Sequence, residues 1–319
     1  MAQNCNRATT IAVVVPCYNE AITVGKVCDD FRRELPEATI YVYDNNSSDA
    51  TARIAFEHGA VVRREIRQGK GFVLRQAFRE IDADIFVMID GDDTYPAEAV
   101  HTLIAPIITG EADIVTGDRL SNASYYQENK RRFHSFGNNL VRWLIRKLYG
   151  ANIIDAMTGY RAMSRNFVKA YPILVTGFEI EVEMDIHTID KFWRFKEIPV
   201  DYRDRPDGSF SKLSTFKDGF KVILTIMSLF KDYKPLILFS VVGILAILLG
   251  LGFGIPVILD YFHTGLVQRF PTAILATAFC IVGLLSIASG LILDTIVKAT
   301  HKQYEIAVLN SYKHLDNDK

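Results

Sequence analysis

Short apolar runs alternate with amphipathic stretches along the first 120 residues of the chain. Runs rich in β-branched residues predict strands at 11–15, 39–43, 60–64, 84–89 and 112–116. The stretches between them predict helices at 21–35, 50–58, 70–81 and 97–109. Strands that alternate with helices are typical of an α/β fold, a mostly parallel sheet with helices on both faces.

Two long stretches near the C-terminus, 235–259 and 271–293, contain no charged residue. As helices each would be roughly 34 to 38 Å long, enough to cross a hydrocarbon core of about 30 Å. The link 260–270 is short, so the pair predicts a transmembrane hairpin with both ends on one side of the membrane. Lysines flank the outer ends, whereas the link carries only Arg269. This bias places both chain termini in the cytosol.

Two further stretches are amphipathic and rich in cations. Residues 127–149 interleave arginine and lysine with aromatic and aliphatic residues, and 213–234 carry an apolar stripe at helical spacing: Phe216, Phe220, Ile223, Met227 and Phe230. Such helices lie in the headgroup region of a membrane, and an ordinary solvated helix stays the alternative for the first. The chain is thus predicted to comprise a cytosolic domain (1–212), an interfacial helix (213–234), a hairpin (235–297) and a cytosolic tail (298–319).

Composition narrows the class of protein. The formal net charge is −1 over 319 residues, which argues against a nucleic-acid partner bound through bulk positive charge. The four cysteines form no C-x-x-C pair and predict neither a disulfide framework nor a zinc site. Residues 1–10 have no apolar run, so we expect no cleavable secretory signal.

Four predicted strands end in polar clusters, at 16–20, 44–49, 90–93 and 117–119. The carboxyl ends of parallel strands meet at one edge of a sheet, where ligands bind. Within the third cluster, Asp90 and Asp92 offer oxygen ligands without nearby His or Cys, a set that suits Mg²⁺ or Mn²⁺. An acidic loop that caps the next helix is the alternative that these acids alone leave open.

Three of these clusters together resemble the motifs of the family-2 glycosyltransferases, whose nucleotide-sugar domain has the Rossmann-like GT-A fold. Val15-Pro16-Cys17-Tyr18-Asn19-Glu20 resembles the first motif, Asp44 with Ser48-Asp49-Ala50-Thr51 the second, and Asp90-Gly91-Asp92 the D-x-D motif. The resemblance implies that the first two hold the nucleoside and that the third holds a divalent metal on the donor diphosphate. The donor-binding candidates are Pro16, Tyr18, Asn19, Glu20, Asp44, Lys70, Asp90, Gly91 and Asp92, with Asp90 and Asp92 as metal ligands.

Later segments resemble one branch of that family, the polyprenyl-phosphate glycosyltransferases of the GtrB type, relatives of dolichyl-phosphate mannose synthase. They are 155–163, 177–184 and 205–212, the last matching R-x-x-G-x-S-K. The resemblance implies transfer of one hexose, from UDP-glucose or UDP-N-acetylglucosamine, to undecaprenyl phosphate at the cytosolic face of the plasma (inner) membrane. The product would be a lipid-linked sugar donor for cell-envelope glycosylation. GDP-mannose stays open as the donor, and a non-catalytic membrane protein that binds nucleotide sugar or lipid is the alternative of another class.

A lipid phosphate is largely ionised at neutral pH, so it needs cations around it more than a strong base. The acceptor-side candidates are Arg119, Arg131, Arg205, Ser211 and Lys212, although each cation alone could form an ordinary surface ion pair. Asp155 and Asp92 are the candidate catalytic acids, Asp155 in a catalytic or positioning role that the resemblance implies. A single in-line attack would invert the anomeric centre. Small residues between 283 and 290 would allow close helix packing between protomers, so the sequence leaves a homo-oligomer open without predicting one.

Overall fold

The computed structural model describes residues 9–122, 132–206, 208–209 and 215–317. The chain divides into two compact units, Met1–Ile226 and Met227–Lys319. The first unit is an α/β domain, and the second is dominated by two long apolar helices.

A mixed sheet forms the core of the first unit. Its described part has seven strands: β1 (Ile11–Cys17), β2 (Thr39–Asp44), β3 (Val61–Arg64), β4 (Ile85–Met88), β5 (Ile114–Asp118), β6 (Arg161–Ser164) and β7 (Phe195–Pro199). Their order is β3-β2-β1-β4-β6-β5-β7. Strand β6 is antiparallel to both neighbours and every other pair is parallel. The expected mostly parallel sheet is confirmed, with β6 and β7 added to the predicted strands.

Helices cover both faces of this sheet, as predicted. One face packs against α1 (Val24–Glu34), α2 (Thr51–Glu57), a 3₁₀ turn (Ala97–Ala99) and α4 (Val100–Ile108). The other packs against α3 (Lys70–Glu80), α6 (Arg165–Ala170) and α7 (Ile180–Asp190). Side chains on alternate positions of β1 and β4 enter opposite cores, which explains why both strands are apolar at every position.

The strand directions gather the carboxyl ends of β1, β2, β4, β5 and β7 at one edge of the sheet. Because β6 runs the opposite way, it begins at this edge, with Arg161. The site described below lies along this edge.

Two amphipathic helices follow the predicted positions. Helix α5 (Arg132–Tyr149) buries Val141, Ile145 and Tyr149 and exposes Trp143. Helix α8 (Thr215–Tyr233) has two apolar stripes. One is buried (Val222, Ile226, Leu229 and Phe230), and one is exposed (Phe220, Leu224 and Met227). The single stripe expected from the sequence is therefore divided, since Phe230 is buried while Phe220 and Met227 are exposed.

The second unit contains α9 (Pro235–Thr264) and α10 (Phe270–Asn317). Both are long and apolar enough to cross a membrane, and only 11% and 17% of their most apolar windows are buried. Helices in the core of a soluble protein would be mostly buried, so these helices indicate membrane association.

Glycines bring the backbones of α9 and α10 together. A Cβ atom on Gly243 would lie 2.7 Å from the Gly283 carbonyl oxygen, and one on Gly250 would lie 2.8 Å from the Ala276 oxygen. A Cβ atom on Gly290 would lie 2.9 Å from the Phe239 Cβ. Gly283 and Gly290, which the sequence suggested for packing between protomers, thus serve the hairpin itself.

Candidate active site

Two carboxylates stand just beyond β4. Asp92 is buried, and its Oδ1 accepts hydrogen bonds from the Thr94 hydroxyl (2.7 Å) and the Thr94 main-chain N–H (3.3 Å). Asp90 is more open, with 30% of its side chain exposed. Gly91 lies between them, where a Cβ atom would be 2.5 Å from the Cys17 Sγ. A side chain at this position would therefore collide with Cys17 unless Cys17 moved.

Each carboxylate faces a cation of the protein. The Lys70 Nζ lies 2.5 Å from the Asp90 Oδ1 and 2.7 Å from the Glu181 Oε1. The Arg205 Nη2 lies 2.5 Å from the Asp92 Oδ2, and its Nη1 lies 3.5 Å from the Glu20 Oε1. Arg205, expected on the acceptor side, thus contacts two residues of the donor motifs.

The two acids have opposite pKa shifts. Burial alone would raise the pKa of Asp90, but the Lys70 ammonium outweighs it and holds that pKa below its usual range. Burial, followed by the charge of Asp90, raises the pKa of Asp92.

These residues fit a divalent cation. A Cβ atom on Gly159 would lie 2.2 Å from the Asp90 Oδ2, so only glycine leaves room for that carboxylate. Within the described ranges, no group of three or more His, Cys, Asp or Glu side chains could hold a metal. Mg²⁺ commonly binds through one or two carboxylates and completes its shell with water and substrate phosphate oxygens. Asp90 and Asp92 offer that minimal set.

The loops after β1 and β2 are tied together. Asn19, at φ 55°, donates its N–H to the Ser47 hydroxyl (2.9 Å), and its Oδ1 accepts from the Ser48 N–H (2.7 Å). The Glu20 N–H donates to the Thr51 hydroxyl (2.9 Å). Both sequence motifs therefore form one surface at the edge of the sheet.

Other donor candidates differ in exposure. Asp44 is buried at the end of β2, and Tyr18 is 39% exposed. Pro16 lies inside β1, in register with Tyr43, rather than in the loop that the sequence predicted. Its place in the strand follows from the continued pairing of β1 through Cys17 with Asp44.

Asn45 was missed by the sequence analysis. Its Nδ2 donates to the carbonyls of Glu65 (2.9 Å) and Arg67 (2.8 Å), and its Oδ1 accepts from the Gly69 N–H (2.7 Å). It thereby fixes the turn that precedes Lys70. The only sequence signal is that Asn45 and Asn46 follow a strand, and the sequence pattern does not show which of the two fixes the turn.

On the other side of the edge, Arg119 and Asp155 form a bidentate ion pair. The Arg119 Nε lies 2.7 Å from the Asp155 Oδ2, and its Nη2 lies 2.9 Å from the Asp155 Oδ1. Asp155 is fully buried; burial favours its neutral form, but Arg119 outweighs this and lowers its pKa. A carboxylate so held is a weak proton acceptor, and this geometry favours a positioning role over that of a base.

The sequence candidates fall into connected groups. Ion pairs join Arg205 to Glu20 and Asp92, and another joins Lys70 to Asp90. Burial raises the pKa of Asp90, but the charges of Lys70, Arg205 and Arg119, in decreasing order of effect, lower it. Arg131, Ser211 and Lys212 lie outside the described residues. Glu181, which shares Lys70 with Asp90, was not among the predicted site residues, although it lies in the 177–184 segment that carries the family resemblance.

Comparison with known proteins identifies the family. The sequence profile of glycosyl transferase family 2 matches residues 12–171, the stretch that carries both loops and both acids. The chain belongs to glycosyl transferase family 2. This family-2 protein is accordingly a glycosyltransferase, and its sheet is that of the GT-A fold.

Relatives extend the likeness beyond the matched stretch. This glycosyltransferase is 29% identical over 294 residues to glycosyltransferase AglJ of Haloferax volcanii, which covers 92% of this chain and 95% of AglJ. It is 30% identical over 209 residues to a dolichyl-phosphate hexose transferase of the same organism, covering 66% of this chain and 89% of the relative. Among solved structures, glucosyl-3-phosphoglycerate synthase from M. tuberculosis superposes with a TM-score of 0.57 at 26% identity, covering 69% of this chain and 80% of that one.

Proposed function

We propose that this glycosyltransferase transfers one hexose from a nucleotide sugar to the phosphate of a polyprenyl lipid at the cytosolic surface of the plasma membrane. One observation carries the proposal: acids suited to a metal–diphosphate complex and a fixed arginine lie at the same sheet edge. The chain that bears them also has two exposed apolar helices of membrane-spanning length. A relative with 30% identity is named a dolichyl-phosphate hexose transferase.

The loops after β1 and β2 are the proposed nucleoside site, and Asp90 and Asp92 are the proposed ligands of Mg²⁺ or Mn²⁺. When bound, such a metal would neutralise charge on the departing diphosphate. Lys70 keeps Asp90 ionised, which maintains a ligand in its charged form. Asp92 already faces a guanidinium, so Arg205 is placed to exchange its carboxylate contact for a phosphate contact.

The acceptor phosphate is the nucleophile in this proposal. Its second ionisation lies near pH 6, so no strong base is required at neutral pH. Arg119 donates through Nε and Nη2 to Asp155 and is thereby held in one orientation, which lowers the entropic cost of binding an anion with the same guanidinium. Attack from the acceptor side would displace the diphosphate in line and invert the anomeric centre, giving a β-linked product from an α-linked donor.

The membrane topology is also a proposal. Lysines at the outer ends of the hairpin support a location of the catalytic unit and both termini on the cytosolic side. The exposed apolar stripe of α8 is proposed to lie in the headgroup region.

A donor panel tests the proposed reaction. The full-length protein in vesicles with Mg²⁺ or Mn²⁺ and undecaprenyl phosphate is given radiolabelled UDP-glucose, UDP-N-acetylglucosamine or GDP-mannose. We expect label in the lipid from a UDP-hexose.

Asp92→Asn should lower the rate by about a hundredfold or more, since several kcal/mol of charge stabilisation are lost. Asp93→Asn is the matched control, because Asp93 pairs with Lys26 instead. Equal losses in both variants, or no labelled lipid with any donor, would contradict the proposal.

A further inference from the structure

Glu197 stands on the strand next to the one that leads into Arg119. Strands β5 and β7 are parallel, with Glu197 in register with Thr116. Residues in register project from the same face of a sheet. Strand β5 ends at Asp118, and Arg119 follows directly. The Glu197 side chain therefore projects from the same face of the sheet as Thr116, three residues before the arginine assigned to the acceptor.

The carboxylate binds main-chain N–H groups of the segment before β6. Its Oε1 accepts from the N–H of Ile154 (2.9 Å) and of Asp155 (3.0 Å), and its Oε2 accepts from Ile154 (3.0 Å). Residues 150–160 contain no helix or strand, so regular structure does not fix this main chain. An ionised acceptor forms stronger hydrogen bonds than a neutral one. Glu197 thus anchors the segment at the residue that carries the Asp155 side chain.

Asp155 in turn holds the Arg119 side chain in place through hydrogen bonds. Besides the bidentate ion pair, the Asp155 Oδ2 accepts from the Arg119 main-chain N–H (3.2 Å), and the Arg119 Nη2 donates to the Met157 carbonyl (2.8 Å). The guanidinium also lies 5.6 Å from the centre of the Tyr202 ring. The arginine is thereby fixed by the 155–157 segment, which Glu197 holds in turn.

Stability alone does not favour a charge at Glu197. Burial raises the pKa of this carboxyl, the N–H groups of Asp155 and Ile154 oppose the rise, and the charges of Asp118 and Asp155 add to it. Within the described residues, the Asp118 Oδ2 is buried without a hydrogen-bond partner. A third acid beside two others costs free energy whatever its role, so stability does not explain its presence here, and perturbed carboxyls cluster at functional sites.

We propose that Glu197 is a positioning residue for glycosyl transfer. It holds the main chain at 154–155 so that Asp155 presents Arg119 to the acceptor phosphate. This inference rests on the proposed function for the identity of the acceptor.

Steady-state kinetics of Glu197→Ala and Glu197→Gln test the inference. Glu197→Ala should raise the KM for polyprenyl phosphate by about tenfold or more, as for other residues that orient a binding side chain without contacting the ligand. The KM for the nucleotide sugar should change by less than about twofold, because Glu197 holds the main chain at 154–155, whereas Gly159, which borders Asp90, lies four residues further along the chain. The KM of Glu197→Gln for polyprenyl phosphate should lie between those of the wild type and Glu197→Ala, since Oε1 alone reaches both N–H groups. The matched control is Glu111→Gln, whose carboxylate pairs with Lys196, the neighbour of Glu197 on β7.

A double-mutant cycle shows whether Glu197 acts through Arg119. Arg119→Lys keeps the charge but loses the bidentate geometry. If Glu197 works by orienting the guanidinium, Glu197→Ala should cost far less in the Arg119→Lys background than in the wild type. Additive losses would overturn the inference, as would equal rises in the KM of donor and acceptor or an unchanged acceptor KM.

Hydrogen exchange gives a readout that needs no substrate. The amides of 150–160 should exchange faster in Glu197→Ala than in Glu111→Gln, and equal exchange would overturn the inference. If the wild-type protein transfers no sugar to polyprenyl phosphate, the proposed function fails, while faster exchange would still support the anchoring of this segment. If the wild type is active and the variants show no acceptor-specific loss, the inference fails alone.

Discussion

Asp90 and Asp92 are two residues apart and have different electrostatic surroundings. Asp90 is kept ionised by Lys70, whereas burial and the Asp90 charge raise the pKa of Asp92. The sequence placed both acids at the end of a strand, which the structure bears out, since they follow β4 directly. It did not predict their partners, because Lys70 and Arg205 are 20 and 113 residues away from them in the chain. Contacts between such distant positions follow from tertiary packing alone.

Gly159 should be essential for the placement of Asp90. In Gly159→Ala the new Cβ would lie 2.2 Å from the Asp90 Oδ2, so the carboxylate must move. We expect kcat/KM to fall by about tenfold or more and Mn²⁺ binding to weaken, as when a ligand loses its orientation. Gly219→Ala is the control, because a Cβ atom there meets nothing within 4 Å. Unchanged Mn²⁺ binding in Gly159→Ala would show that Asp90 is not a ligand.

Asp155 predicts a pH dependence of stability. Its pKa in the folded state is lowered because Arg119 outweighs burial. The ion pair therefore contributes stability above the unfolded pKa of about 4 and loses it as pH falls through the lower folded value. The free-energy difference between wild type and Asp155→Asn should be constant near pH 7 and shrink below about pH 4. Thermal unfolding at several pH values measures this, and a difference that grows in acid would contradict the assignment.

At the scale of elements, the hydrophobic pattern predicted the first five strands, β1 to β5, and missed β6 and β7. Strand β6 begins with Arg161, which is fully buried and paired with Asp185. Strand β7 contains Lys196 and Glu197. Short charged segments have no apolar periodicity, and their strand structure depends on neighbours brought together by folding. Glu197 was overlooked for the same reason.

The exposed stripe of α8 should matter for a lipid in a bilayer. Leu224→Asp places a charge among Phe220 and Met227, which should raise the KM for undecaprenyl phosphate in vesicles by about fivefold or more, since an interfacial helix binds through its apolar face. A short, water-soluble prenyl phosphate should be used equally well by both proteins. Ser228→Asp, on an exposed polar position of the same helix, is the control. Equal losses with both acceptors would indicate a defect of the catalytic unit instead.

Close packing of α9 against α10 predicts a stability effect. A Cβ atom in Gly283→Ala would lie 2.7 Å from the Gly243 carbonyl oxygen, and overpacking of this kind costs about 1 to 3 kcal/mol. Gly252→Ala adds the same group where nothing lies within 4 Å. The Tm of Gly283→Ala in detergent should fall below that of Gly252→Ala. Identical Tm values would mean that the hairpin does not depend on this contact.

At the scale of the whole molecule, the two units differ in the features that they carry. The α/β unit carries the acids, the arginines and the family-2 match, and the second unit carries the apolar helices. Composition alone predicted this separation, because uncharged stretches of membrane-spanning length are visible without a structure. The division falls inside α8, where the sequence offers only a continuous amphipathic helix.

We propose that this protein transfers one sugar to a lipid phosphate. The most direct measurement is mass spectrometry of the lipid formed by the full-length protein from a UDP-hexose, a divalent metal and undecaprenyl phosphate, with the released nucleotide quantified in the same reaction. We expect a lipid that carries a single β-linked hexose on its phosphate, with one nucleoside diphosphate released per lipid. A lipid carrying several sugars or an α-linked hexose, or nucleotide release without any glycosylated lipid, would contradict it.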